Sequence, residues 1–203
     1  MSKSVLISIQ PKWCKLIAEG KKTVEVRKTK PKIDVPFKCY IYCTYGEGLI
    51  EFNDEMLPNH LIGYKVSKDK IWGNCCNGKV IGEFVCNEIE KLRYDALEMT
   101  YMARKYRDVN LLNEEFLKGT QVTYQEAYDY CEGMTFDEED TDYFYGWHIT
   151  DLVIYDKPKE LGEFFYACKK PKGTDCSVCL DRRENRCKAI TRPPQSWCYV
   201  EEV

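Results

Sequence analysis

Long apolar runs are missing from this sequence. None of its 203 residues lie in a stretch near the roughly 20 consecutive apolar positions a membrane span needs. No apolar segment close to Met1 has the length of an export signal. Histidine is scarce, with only His60 and His148. G-x-S-x-G, H-E-x-x-H and a phosphate-cradling glycine loop are all missing. The common sequence signs of serine hydrolases, zinc proteases and nucleoside triphosphatases are therefore lacking. There is no internal repeat and no low-complexity tract. The expectation is one domain with an appendage, in the cytoplasm, away from membranes, and monomeric.

Cysteine, by contrast, is plentiful, at twelve residues. Cys14, Cys39, Cys43, Cys86 and Cys131 sit within apolar patterns and read as small buried hydrophobes. Cys75 and Cys76 are adjacent and read as a turn. Thiols without a framework and without an export signal point to a reducing compartment. Four others cluster as C-x7-C-x2-C-x7-C: Cys168, Cys176, Cys179 and Cys187. A C-x-x-C turn offers two zinc ligands from one knuckle, and the two outer cysteines complete a tetrahedron. The intervening chain is rich in Lys, Arg, Asp, Gly and Pro, with almost nothing to bury, so a structural Zn2+ is expected to hold it. The alternative is four reduced structural thiols; Cys198 or His148 could replace a ligand.

Charge is unevenly spread. Residues 1–40 carry ten Lys/Arg against three acids, a net of +7. Residues 41–156 carry ten basic and 23 acidic residues, a net of −13, and residues 157–203 ten and seven, a net of +3. Basic ends around an acidic middle suggest one surface for a polyanion and another facing elsewhere. A solvated surface with no partner has the same signature.

Along the chain, Val5–Ile9 reads as a strand. Pro11 suits a first helical position, Trp13, Leu16 and Ile17 follow at helical spacing, and Gly20 supplies a stop, giving a helix over 11–19. Thr23 to Arg27 alternates, which predicts a strand with Val24 and Val26 toward the core and Thr23, Glu25 and Arg27 on the other face. Phe37–Tyr45, Lys79–Cys86 and Tyr143–Tyr155 read as further strands. Residues 46–78, around Trp72, read as an irregular connection. Mixed helical spacing marks 95–107 and 111–118. Thr123 with Glu126 fits a capping box opening a helix that runs to about Cys131. Phe136 to Asp142 reads as an acidic loop, and a short helical turn is expected near Leu161.

The segment Ile7-Ser8-Ile9-Gln10-Pro11 with Trp13, followed by Gly20, Lys22, Glu25 and Arg27 in the pattern G-x-K-x-x-E-x-R, resembles the ASCH domain family. Tyr145 to Ile149, with Tyr155-Asp156-Lys157-Pro158 after it, is also similar to many bacterial and phage members. The resemblance covers roughly residues 4–165. It implies an α+β fold of the PUA-like superfamily: a mixed β-barrel with peripheral helices. The expected organisation is a domain over 1–165 with a helical insertion near 88–142, then a zinc-stabilised extension over 166–203.

The resemblance further implies binding of RNA, or of a modified nucleobase or nucleotide, in a cleft near the motif. Lys22, Glu25, Arg27, Trp13, Ser8, Gln10, Trp147 and His148 are the candidate binding residues. A carboxylate can accept from a base amine, a guanidinium can grip phosphate with two bonds, and aromatic rings can stack on bases. Lys22 is expected at the mouth of that cleft. The plainer readings are a surface Glu25–Arg27 ion pair, a core role for Trp13, and a rim role for His148. His60 has no visible partner.

Two other functions stay open. One branch of the family resembles an amidohydrolase acting on acetylated cytidine. There a threonine nucleophile stands where this chain has Glu25, so Lys22 and Glu25 are its only catalytic candidates, and no acetate release from N4-acetylcytidine is expected. The other is a protein-interaction adaptor using the acidic region 88–142. A binding module is expected rather than an enzyme.

Overall fold

The protein, described here as a computed structural model, is placed over residues 3–46, 76–93, 110–111, 114–123, 126, 129–130, 143–168 and 188–203. Its elements are β1 (Lys3–Ile9), α1 (Pro11–Ala18), β2 (Val24–Arg27), β3 (Phe37–Cys43), β4 (Val80–Arg93), β5 (Asn110–Leu111), α2 (Glu114–Thr120), β6 (Tyr143–Lys159), a 3-10 turn over Leu161–Glu163, and β7 (Trp197–Glu201). This is an α+β fold built on a mixed sheet with few helices. None of its described helices is long and apolar enough to cross a membrane. Two compact units divide the chain, and the long strands β4 and β6 each contribute to both.

The first unit comprises Met1–Glu19, Phe37–Val85 and Asp151–Val203. Its strands run in the order β6-β4-β3-β1-β7. β1 lies parallel to β3, with Val5 opposite Cys39 and Ile9 opposite Cys43. It lies antiparallel to β7, with Lys3 opposite Glu201 and Ile7 opposite Trp197. A strand flanked on both sides and covered on both faces should be apolar at every position. β3 fits that rule, with Cys39, Tyr40, Ile41, Tyr42 and Cys43 all buried.

The core gathers Leu6, Tyr40, Tyr42, Val80, Phe164, Ile190 and Val200. Tyr40 meets Phe164 edge-on at 5.0 Å between ring centroids. Its hydroxyl donates to the Val203 carbonyl at 3.1 Å, so a buried polar tip is satisfied. Burial raises the Tyr40 phenol above its usual range. β4 and β6 approach so closely that a side chain at Gly82 would collide with the Val153 carbonyl.

The last strand departs from the sequence expectation. Residues 188–203 read as part of an appended extension, yet β7 pairs along the length of β1. Phe165 and Tyr166 form bridges to Ala189 and Val200. In α1 the expected apolar face is also rotated. Pro11, Cys14 and Ile17 are the buried positions, while Trp13 is half-buried under the Lys12 ammonium, 4.2 Å from its ring centroid. Cys14 is small enough to sit against the strand, where its thiol meets the Ile9 carbonyl at 3.5 Å.

The second unit comprises Gly20–Pro36 and Cys86–Thr150. Here β2 pairs antiparallel with β6: Val24 faces His148, Glu25 faces Trp147, Val26 faces Gly146 and Arg27 faces Tyr145. β6 neighbours β4, and β5 pairs parallel with β4. The predicted capping box forms: Thr123 N donates to a Glu126 carboxylate oxygen at 2.9 Å, and Glu126 N donates to Thr123 Oγ1 at 3.2 Å. The readings for 47–75, 94–109 and 131–142, including Cys75, Trp72, His60 and Cys131, fall outside the described residues.

Candidate nucleic-acid interface

Gly20 ends α1 with a left-handed φ of +69°, which glycine adopts without strain. The chain then turns through Lys21–Thr23 into β2. Thr23 fixes this junction from two sides. Its N–H donates to the Gly119 carbonyl at 2.8 Å, and its own carbonyl accepts from Ile149 N at 2.9 Å. Gly119 lets helix and strand approach, since a Cβ there would lie 3.2 Å from Val24 Cγ2.

The sequence places Lys22 at an open mouth, and the structure does not. It lies in the connecting loop, but at 2% exposure it is among the most buried charged residues described. Its Nζ donates to the Thr120 carbonyl at 2.6 Å, satisfying a carbonyl that α2 leaves unpaired at its end. It also lies 3.5 Å from Glu25 Oε2. Glu25 Oε1 is 2.9 Å from Arg27 Nη2. One carboxylate thus sits between two cations, with Glu25 at 6% side-chain exposure and Arg27 at 12%.

This corrects the face assignment for β2. Alternation puts the valines inward and Glu25 outward, whereas Glu25 is buried and Val26 is only half-buried. Directly opposed residues of an antiparallel pair share a face, so Glu25 and Arg27 lie with Trp147 and Tyr145. Trp147 is wholly buried, which gives it a packing position on that face and no open ring. A charged face turns inward because its charges compensate one another, and this is not the ordinary surface pair that alternation suggests.

Burial lowers the Lys22 pKa from the usual lysine value; the Glu25 carboxylate opposes that shift and Arg27 adds to it. An amine whose folded pKa lies below its unfolded one is protonated more readily in the unfolded chain. Unfolding therefore takes up a proton in the window between the two, and stability rises with pH through that window toward 10.5. Urea unfolding of the parent and of Lys22→Met across the alkaline range should show this rise in the parent and a flatter profile in the variant. Parallel profiles would count against it.

His148 alternates to the other face of β6, with Val24, and approaches Glu90. Sequence reasoning groups it with Trp147, but neighbours along a strand point to opposite faces. Ser8, Gln10 and Trp13 belong to the first unit. There Ser8 Oγ donates to the Pro194 carbonyl at 2.7 Å, and Gln10 is exposed at the start of α1.

Residues just beyond the motif join the site without a motif of their own. Lys28 lies over the Tyr130 ring at 5.0 Å and Lys30 over the Tyr145 ring at 5.7 Å. The basic excess of residues 1–40 is the only sequence signal for both lysines. Thr120 has none, being 98 positions from Lys22. Of the proposed zinc ligands, Cys168 is half-buried and Cys176, Cys179 and Cys187 lie outside the described residues. Cys198 lies in β7 opposite Leu6, where burial pushes its thiol up to about 11.

The ASCH domain profile matches residues 7–140, and the chain belongs to that family, whose members are generally associated with RNA binding. It is similar to the crystal structure of ASCH from Zymomonas mobilis at 17% identity and a TM-score of 0.44, over 98% of this chain and 88% of that one. A mutant of the Zymomonas mobilis protein is similar at 18% identity and a TM-score of 0.42, over 99% and 92% of the respective chains. None of the curated proteins matches this chain.

Proposed function

We propose that this chain binds RNA, or a modified nucleobase or nucleotide, on the β2 face that carries Arg27 and along the cationic segment beyond it, within a sheet closed as a PUA-like barrel. The observation that carries the reading is the run Arg27, Lys28 and Lys30, in which both lysines lie over tyrosine rings. An ammonium beside an aromatic ring suits a phosphate and the base next to it. Family membership supports the same reading. Lys22 and Glu25 are too buried to meet a large ligand directly, so they act as positioning residues for the Arg27 guanidinium.

Binding of a labelled single-stranded RNA, followed by fluorescence anisotropy over a salt series, tests this. Removing one phosphate-binding cation should lower the slope of log K against log salt by about 0.7. Lys28→Ala with Lys30→Ala should therefore weaken binding and flatten the slope by about 1.4. Tyr145→Ala should cost about 1–3 kcal/mol if its ring stacks on a base. Equal binding by all variants, or binding by the parent that ignores salt, would favour a protein-interaction role over RNA.

A further inference from the structure

On the face of the second unit's sheet opposite Glu25, three metal-ligating side chains converge. Glu88 and Glu90 are two residues apart on β4 and so point the same way, and His148 comes from the neighbouring strand β6. One donor atom from each lies within 4.8 Å of the other two. Two carboxylates this close repel one another unless a positive charge offsets them.

A second observation concerns the imidazole. The Nε2 atom of His148 is buried and makes no hydrogen bond. It lies 3.4 Å from Glu90 Oε2, on side chains that are 30% and 24% exposed. Two ligands held about 2.1 Å from one tetrahedral ion lie about 3.4 Å apart. The spacing therefore suits a shared cation as well as it suits an imidazolium–carboxylate pair. Behind the cluster, Cys86 is closed off: its thiol donates to the Glu88 carbonyl at 3.4 Å, and burial pushes it up to about 12.

We propose that Glu88, Glu90 and His148 form a binding site for one divalent transition-metal ion. The donor set is one nitrogen and two carboxylate oxygens, which suits zinc, manganese, cobalt or iron(II) better than magnesium or calcium, whose ligands are oxygen. Three protein ligands leave coordination positions for water or for a ligand oxygen. The site is independent of the RNA-binding face, from which it is separated by the sheet itself.

Manganese and cobalt separate this site from the cysteine cluster. Manganese disfavours thiolate ligands, and cobalt bound to thiolates shows charge-transfer absorption that cobalt bound to nitrogen and oxygen lacks. The chain with Cys176→Ser and Cys179→Ser should still bind one equivalent of Mn2+, read by loss of the aqueous Mn2+ electron-spin signal. It should bind Co2+ without thiolate absorption. His148→Ala should abolish that equivalent, and Glu88→Gln, at an exposed position where the fold is not at stake, should weaken it at least tenfold. Mn2+ should also broaden the His148 ring resonances of the parent in NMR spectra. Failure of the parent to bind Mn2+ or Co2+ in the cysteine-substituted background, or full binding by both variants, overturns the proposal in favour of a simple imidazolium–carboxylate pair.

Discussion

Replacing Glu25 by alanine should lower the unfolding free energy by about 3–5 kcal/mol, because it removes the carboxylate that two inward-facing cations share. Lys22 lies 3.5 Å from that carboxylate and Arg27 2.9 Å from it. An exposed ion pair of the same geometry contributes about 1 kcal/mol at most. For a chain of this size the loss corresponds to a melting temperature lower by about 10 °C. Adding Lys22→Met to Glu25→Ala should restore part of the loss, since it removes the more deeply buried of the two cations. A drop under about 1 kcal/mol for Glu25→Ala would show that the three residues are a surface pair after all.

The second large effect belongs to the cysteine cluster. We propose that Cys168, Cys176, Cys179 and Cys187 bind one structural zinc, and the support is their spacing and the polar chain between them. Zinc held by such sites contributes folding free energy directly, at about 10–16 kcal/mol apparent in zinc-finger peptides. In a His148→Ala background, which removes the Glu88–Glu90–His148 site, metal analysis should give about one zinc per chain. Chelation should open the stretch between Cys168 and Cys187 to protease while β7 stays paired with β1. Cys198 is a poor substitute ligand, because burial disfavours its thiolate and its strand belongs to the core. A zinc-less protein with four unmodified thiols and unchanged protease resistance would contradict the assignment.

Local chemistry is legible in the sequence, and long-range compensation is not. Pro11 and Gly20 bound α1, and Thr123 with Glu126 announces a capping box that forms. The alternation of Thr23 to Arg27 locates β2 to within one residue. The assignment of its faces fails because hydropathy assumes that a charged side chain seeks water. Glu25 is buried through Lys22, Arg27 and, via Lys22, the end of a helix 98 positions away. No window of sequence carries that pairing.

β7 escapes the sequence for a different reason. Trp197–Glu201 follows the cysteine cluster and two prolines, whose signals mark an extension rather than a return to the sheet. β4 and β6 are recognisable, but their patterns stop at Cys86 and Tyr155, where charged residues begin. Glu88 and Glu90 carry β4 on into the second unit, and Asp156 and Lys157 carry β6 on within the first.

The RNA-binding reading turns on where RNA touches the protein. Photo-crosslinking of single-stranded RNA carrying 4-thiouridine, followed by peptide mass spectrometry, reads this directly. Crosslinks at Lys28, Lys30, Tyr130 or Tyr145, weakened by Arg27→Ala, are the predicted result. Crosslinks confined to other segments, or none from an RNA present in excess at low salt, would contradict it.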